Sequence, residues 1–285
     1  MVGIICKDKV AALNPSLFLN FRLGLTNYFD TKFHEVDSAE DLEYINTLII
    51  VDEHFGPHVS IWKEDKFINK LNKLNIRTLV FNFEKIFSSK FPWNVDHQQK
   101  LETINNMYQF VSDVDDAIKL EKDVINKQLL SKDTELEYDY TEKKNRILFI
   151  GQSDPAYNPT WSYSTRFSIL NDLRNRVELP LDVCITERKL SYKEFLTKLG
   201  SYKFILNPLG TGDFINVRFY EALQLGCIPI QQVTDSMVKS YSELTSNICH
   251  TFKTSNEVEL PTGSFNKFSY YLEDYFKEIN LKNYI

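Results

Sequence analysis

The stretch YKFILNPLGTGDFINVRFYEALQLGCIPI, residues 202–230, sets two apolar runs around a glycine-bearing loop and a charged helical segment. KFILNP (203–208) reads as a strand that Asn207-Pro208 closes, since proline has no N–H to give to a ladder. Gly210 and Gly212 allow loop conformations and close backbone approaches that bulkier residues forbid. A helix is expected from Asn216 to Leu225, with Asp213 or Asn216 as its cap. CIPIQQV (227–233) follows at once as a second strand. Strand, loop, helix and strand in this order are a βα repeat.

Outward from this segment the same alternation recurs. Strands are expected at VGIIC (2–6), near 33–36, at TLIIVD (47–52), at RTLVFNF (77–83) and at YQFVS (108–112). Helical periods fall at 15–29, at 63–74 through Phe67, Ile68, Leu71 and Leu74, and at 114–130. SKDTELEYDYTEKKN (131–145) is polar and charged and reads as an interdomain linker. The pattern restarts with RILFIG (146–151), a helix at 164–175, LDVCIT (181–186), and SYKEFLTKL (191–199), where Ser191 and Glu194 form a capping box. A last strand is expected near 247–252 and a helix at about 264–279. The expected architecture is α/β: an N-terminal Rossmann-like domain over 1–130, the linker, a C-terminal one over 146–263, and a terminal helix within 264–285 that crosses back to the first domain. In such sheets ligands sit outside the carboxyl ends of the strands. The loops to search are 52–58, 84–94, 112–116, 151–163, 186–190 and 207–216.

Composition narrows the function classes. The net charge is −6 with no long basic block, which argues against nucleic acid or an anionic membrane as the main partner. Cys6, Cys184, Cys227 and Cys249 are far apart and form no CxxC pair, so buried free thiols are expected rather than a zinc site or disulfides. The apolar part of the N-terminus is too short for a signal peptide, and no stretch approaches the roughly 20 apolar residues of a membrane span. A soluble, cytoplasmic protein without a cofactor is the expectation; its oligomeric state is left open.

Arg218 and Glu221 carry the chemistry of the opening segment. A helix start presents unpaired N–H groups and a partial positive charge, and Arg218 adds a full one, so the loop and first turn suit a phosphate. Glu221 lies three residues on, on the same face, where its carboxylate could accept from vicinal hydroxyls such as those of a ribose. The alternative is an exposed i,i+3 ion pair with glycines that only shape a turn.

These residues resemble the C-terminal signature of the exostosin-like glycosyltransferases, glycosyltransferase family 47. The match runs through Pro208, Gly210, Arg218, Phe219, Glu221, Ala222, Gly226, Cys227, Ile228 and Pro229. RILFIG with a downstream Arg166 is a second, weaker match, and the likeness covers about 146–233. Leu209 departs from it, standing where many members carry a basic residue. The resemblance implies a GT-B architecture, two Rossmann-like domains facing a cleft, and an inverting, metal-independent transfer from a UDP-sugar to a glycan hydroxyl. It implies that Glu221 binds the ribose and Arg218 the diphosphate, with Arg166 as a further phosphate contact. Asn216, Gly210 and Thr211 would line the phosphate pocket. Thr186, Glu187 and Arg188 would lie near the base, by position alone. A virus- or microbe-encoded member fits a chain without an anchor, and UDP-xylose follows from that analogy only.

A general base is expected from the first domain. VDEHFGPH (51–58) clusters Glu53, Asp52, His54 and His58 after a strand, with Asp8 and Glu84 as rivals. Trp161, Tyr163 and Trp93 suit stacking on a sugar ring, against which anchoring of long loops to the core is the more frequent fate of aromatics. Two other classes stay open. Asp113 and Asp115 have the spacing of a GT-A-like metal site, against which a helix cap explains the same residues. A non-catalytic sugar- or nucleotide-binding module would use the 207–221 constellation for binding alone.

Overall fold

The computed structural model describes residues 1–6, 15–52, 61–82, 86–87, 93–124, 142–151, 163–185, 190–209, 215–240, 249–262 and 271–284. The chain divides into two compact units, Met1–Asp133 with Tyr271–Ile285, and Thr134–Tyr270. Each is built on a wholly parallel sheet, which gives two Rossmann-like α/β halves.

In the first unit β1 (Val2–Cys6), β2 (His34–Glu35), β3 (Thr47–Asp52), β4 (Arg77–Asn82), β5 (Met107–Val111) and β6 (Asp123–Val124) lie in the order 2-1-3-4-5-6. Helices α1 (Pro15–Phe29), α2 (Asp65–Lys73), α3 (Trp93–Leu101) and α4 (Val114–Leu120) connect them. One face of the sheet buries Leu48, Ile50 and Val80 with Trp62, Phe67, Leu71 and Leu101. On the other, Phe21 of α1 meets Phe81 of β4 and Phe276 edge-on, at ring-centroid distances of 5.1 and 5.4 Å.

The second unit holds β7 (Lys144–Gly151), β8 (Leu181–Ile185), β9 (Tyr202–Asn207), β10 (Ile228–Gln232) and β11 (His250–Phe252), in the order 11-10-9-7-8. Its helices are α5 (Tyr163–Arg174), α6 (Tyr192–Gly200), α7 (Val217–Gln224) and α8 (Asp235–Ser240). Strand alternation sorts the core into two layers. Ile147, Phe149, Phe204 and Leu206 face Ile169, Leu170 and Leu173 of α5, whereas Leu148, Ile150 and Ile205 face Leu196 and Leu199 of α6 and Ala222 of α7.

The chain ends in α9 (Leu272–Glu278) and a 3-10 turn, Leu281–Tyr284, both of the first unit. α9 packs on α1 so closely that a Cβ on Gly24 would lie 2.9 Å from Leu272 Cβ.

Several expected elements differ in extent. The helix expected over 114–130 stops at Leu120, because Glu121 turns left-handed (φ 53°) and Lys122 N–H returns to the Ala117 carbonyl. The chain then adds edge strand β6 beside β5. β7 begins at Lys144, inside the segment expected as linker. α3 begins inside the loop expected over 84–94, with Trp93 as its first residue, and continues to Leu101 through residues for which no element was expected. The end of α9 at Glu278 matches the expected helix, and the part of it over 264–270 lies outside the described residues.

Candidate functional site

In chain order the strands of the second sheet run 2-1-3-4-5, so the connection out of β7 goes one way and the connection out of β9 the other. The crevice at that switch, outside the carboxyl ends of β7 and β9, is where an open α/β sheet offers a ligand its place. The residues there are Gly151, which ends β7, and Asn207, which ends β9.

Arg218 reaches between them. Asn216 caps α7, its side-chain oxygen accepting from Arg218 N–H at 3.1 Å, which settles the choice of cap against Asp213. The guanidinium lies so close to Gly151 that a Cβ there would meet Nη2 at 2.5 Å and Cζ at 3.1 Å. Gly151 has φ +149°, a conformation that side-chain-bearing residues rarely adopt. Nη1 donates to Asn207 Oδ1 at 3.5 Å, and Cζ stands 5.7 Å from the centroid of the Phe149 ring. The partial positive charge of the helix start and the full charge of Arg218 therefore coincide at the switch point.

Glu221 follows on the same helix face but is 2% exposed, so the exposed ion-pair alternative does not describe it. It belongs to the buried run Phe219–Gln224 of α7. A carboxylate this deep needs polar company.

Loop 207–216 is fastened at its entry. Leu209 N–H donates to Gln232 Oε1 at 3.0 Å, and Arg166 Nε donates to the Leu209 carbonyl at 3.2 Å. Arg166 is 6% exposed and comes from the first turns of α5. It thus stands beside the entry to Gly210 and Thr211, which lie outside the described residues, as do Thr186, Glu187, Arg188 and Trp161. Arg218 and Glu221 share α7, Asn216 caps it, and Arg166 bonds the Leu209 carbonyl ahead of it.

Of the expected base cluster, Asp52 is the last residue of β3, paired in register with Asn82; Glu53 and His54 lie outside the described residues. Asp113 is fully buried and caps α4, its Oδ1 accepting from Asp116 N–H at 3.0 Å. The Asp116 carboxylate in turn accepts from the Ile86 and Phe87 N–H groups. These acids organise backbone around β4 and β5, which is the cap reading. Among the described residues no cluster of three or more His, Cys, Asp or Glu could hold a metal ion, and no helix is long and apolar enough to cross a membrane.

The sequence reading missed the polar floor of the site, namely Asn207, Gln231 and Gln232. Its signal was present, as two glutamines ending the otherwise apolar run CIPIQQ.

No protein-family model and no curated protein matches the chain. Solved structures with a similar fold include an alpha-glucosyltransferase in complex with UDP and a 13-mer DNA containing a central A:G mismatch. It is 13% identical, with a TM-score of 0.46 over 81% of this chain and 78% of that one. The spinosyn rhamnosyltransferase SpnG complexed with thymidine diphosphate is 8% identical, with a TM-score of 0.36 over 85% of this chain and 70% of its own.

Proposed function

We propose that the chain is a glycosyltransferase that binds a UDP-sugar on its second unit and passes the sugar to a hydroxyl of a glycan acceptor, with inversion at the anomeric carbon. The observation that carries this is Arg218, set between Gly151 and Asn207 at the switch point, with buried Glu221 one turn further along α7. The family 47 resemblance supports the same assignment at the same residues.

In this reading Arg218 and the start of α7 face the diphosphate, and Glu221 accepts from the ribose hydroxyls. Gly210, Thr211, Asn216 and Arg166 belong to the phosphate side, Thr186 and Arg188 to the base, and Trp161 to a sugar. The acceptor oxygen forms a bond to the anomeric carbon as the bond from that carbon to the diphosphate oxygen breaks. The acceptor proton passes to a base, for which Glu53, Asp52 and His54 are proposed. Charge growing on the diphosphate is met by Arg218 and the helix N–H groups, which do the work a divalent ion would otherwise do.

The test is a thermal-shift and calorimetric screen of nucleotide sugars, with UDP-xylose first among the UDP-sugars, followed by product analysis. A bound donor raises the melting temperature by mass action. R218A and E221A should each weaken UDP binding about tenfold or more, the scale of a lost charge-assisted hydrogen bond. Unchanged binding and turnover in both would overturn the donor site. Donor binding with neither hydrolysis nor transfer would reduce the reading to a binding module.

A further inference from the structure

We propose that Asn207 and Gln231 are positioning residues for Arg218, a relay of two carboxamides that fixes the direction of its guanidinium without adding a counter-charge. The inference rests on the reading of Arg218 as the diphosphate-binding group.

The relay has one possible polarity. At one end is the Gln232 backbone carbonyl, which can only accept, and Gln231 Nε2 donates to it at 2.6 Å. This turns Gln231 Oε1 toward Asn207, whose Nδ2 donates to it at 2.5 Å. Asn207 Oδ1 is then left facing Arg218, and the guanidinium, which can only donate, gives it Nη1–H at 3.5 Å. Turning either amide over would set donor against donor or acceptor against acceptor. Asn207 and Gln231 are both fully buried, so water cannot absorb such a mismatch. The register across β9 and β10 pairs Asn207 with Gln231 directly, so the sheet itself sets the relay in place.

The choice of amide has a chemical consequence. An aspartate at 207 would hold the guanidinium more tightly but would compete with the anion that Arg218 is to bind. An asparagine orients the same group as a neutral acceptor. Together with Gly151, which leaves room on the other side, it presents Arg218 in one pose with its charge directed to a ligand.

The experiment uses the full chain, with UDP as the probe in calorimetry and thermal melting as a check on folding. N207A should weaken UDP binding about tenfold. In an R218A background the same change should cost nothing further, since its effect passes through Arg218. Losses that add in the double variant would overturn the relay, as they would place Asn207 on the ligand or on the fold at large. Q231M, which keeps shape and removes the amide, should act in the same direction as N207A; full UDP affinity in Q231M would count against the relay. Nitrogen-15 NMR of the Arg218 guanidinium in the ligand-free chain gives an answer independent of UDP. Rotation of the Nη groups should be slow in the wild type and faster in N207A and Q231M, and equal rates would overturn the proposal. If the wild-type chain fails to bind UDP, the functional reading falls while the NMR comparison still decides the relay.

Discussion

Gly151 shows how much a single residue can decide in this site. A methyl group there would reach Arg218 Nη2 at 2.5 Å, and the far end of an arginine moves aside more cheaply than backbone does. G151A should therefore displace the guanidinium. UDP affinity is expected to fall at least tenfold, while stability drops by about 1–2 kcal/mol for a non-glycine residue at this φ. Calorimetry and thermal melting on the same sample separate the two effects. Arg218, Glu221 and the capping Asn216 were legible in the sequence, because two charges and a cap behind a glycine loop have meaning at fixed local spacing. The pairing of Asn207 with Gln231 was not. They stand 24 positions apart, and only the β9–β10 register brings their amides together.

At the scale of elements, local chemistry marks most boundaries. Ser191 and Glu194 close the expected capping box at the start of α6, where the Ser191 hydroxyl accepts from Glu194 N–H and the carboxylate reaches back to Ser191 N–H. α7 ends in a Schellman motif: Gly226 is left-handed (φ 68°), its N–H bonds the Leu223 carbonyl, and Cys227 N–H bonds that of Ala222. G226A is expected to cost about 1 kcal/mol and S191A about the same, read from denaturant midpoints. G226A should leave UDP affinity nearly unchanged, since Gly226 lies at the end of α7 opposite Arg218. α3 was hidden because WNVDHQQKL has few apolar positions to set a period, and its buried face is carried by Asn94, Gln98 and Leu101. The Gln98 and Gln109 amides pair at 3.0 Å, and Gln109 also meets Asn82 Oδ1, a polar contact that no hydrophobic pattern announces. The overlong expectation for α4 failed for a related reason. Its stop is a left-handed glutamate, where a glycine would have given the end away.

On the scale of the whole molecule, two parallel sheets with separate cores follow from the repeated βα pattern, which the sequence displayed throughout. Calorimetry should resolve two unfolding transitions, and UDP should raise one of them alone, that of the second unit. A single transition shifted as a whole would show the two units melting as one. Closure of the first unit by the last residues follows from long-range aromatic packing. The Phe276 ring centroid lies 5.4 Å from that of Phe21, and the Tyr284 ring, tilted by 43°, lies 4.2 Å from that of Tyr108. Removing 271–285 should lower or abolish the first unit's transition while the UDP-responsive one persists.

Lys143 sets a practical limit on dissecting the chain. It stands just ahead of β7, and its Nζ donates to the carbonyls of Gly200 and Leu225, both at 2.7 Å, where α6 and α7 end. One side chain thus ties down the rear of the two helices that cover one face of the second sheet, including the helix that carries Arg218. A fragment cut at the apparent start of the strand, Arg146, would leave those carbonyls without their donor and α7 untethered at its back. An expression boundary for the second unit belongs upstream of Lys143, in the polar stretch that looks dispensable.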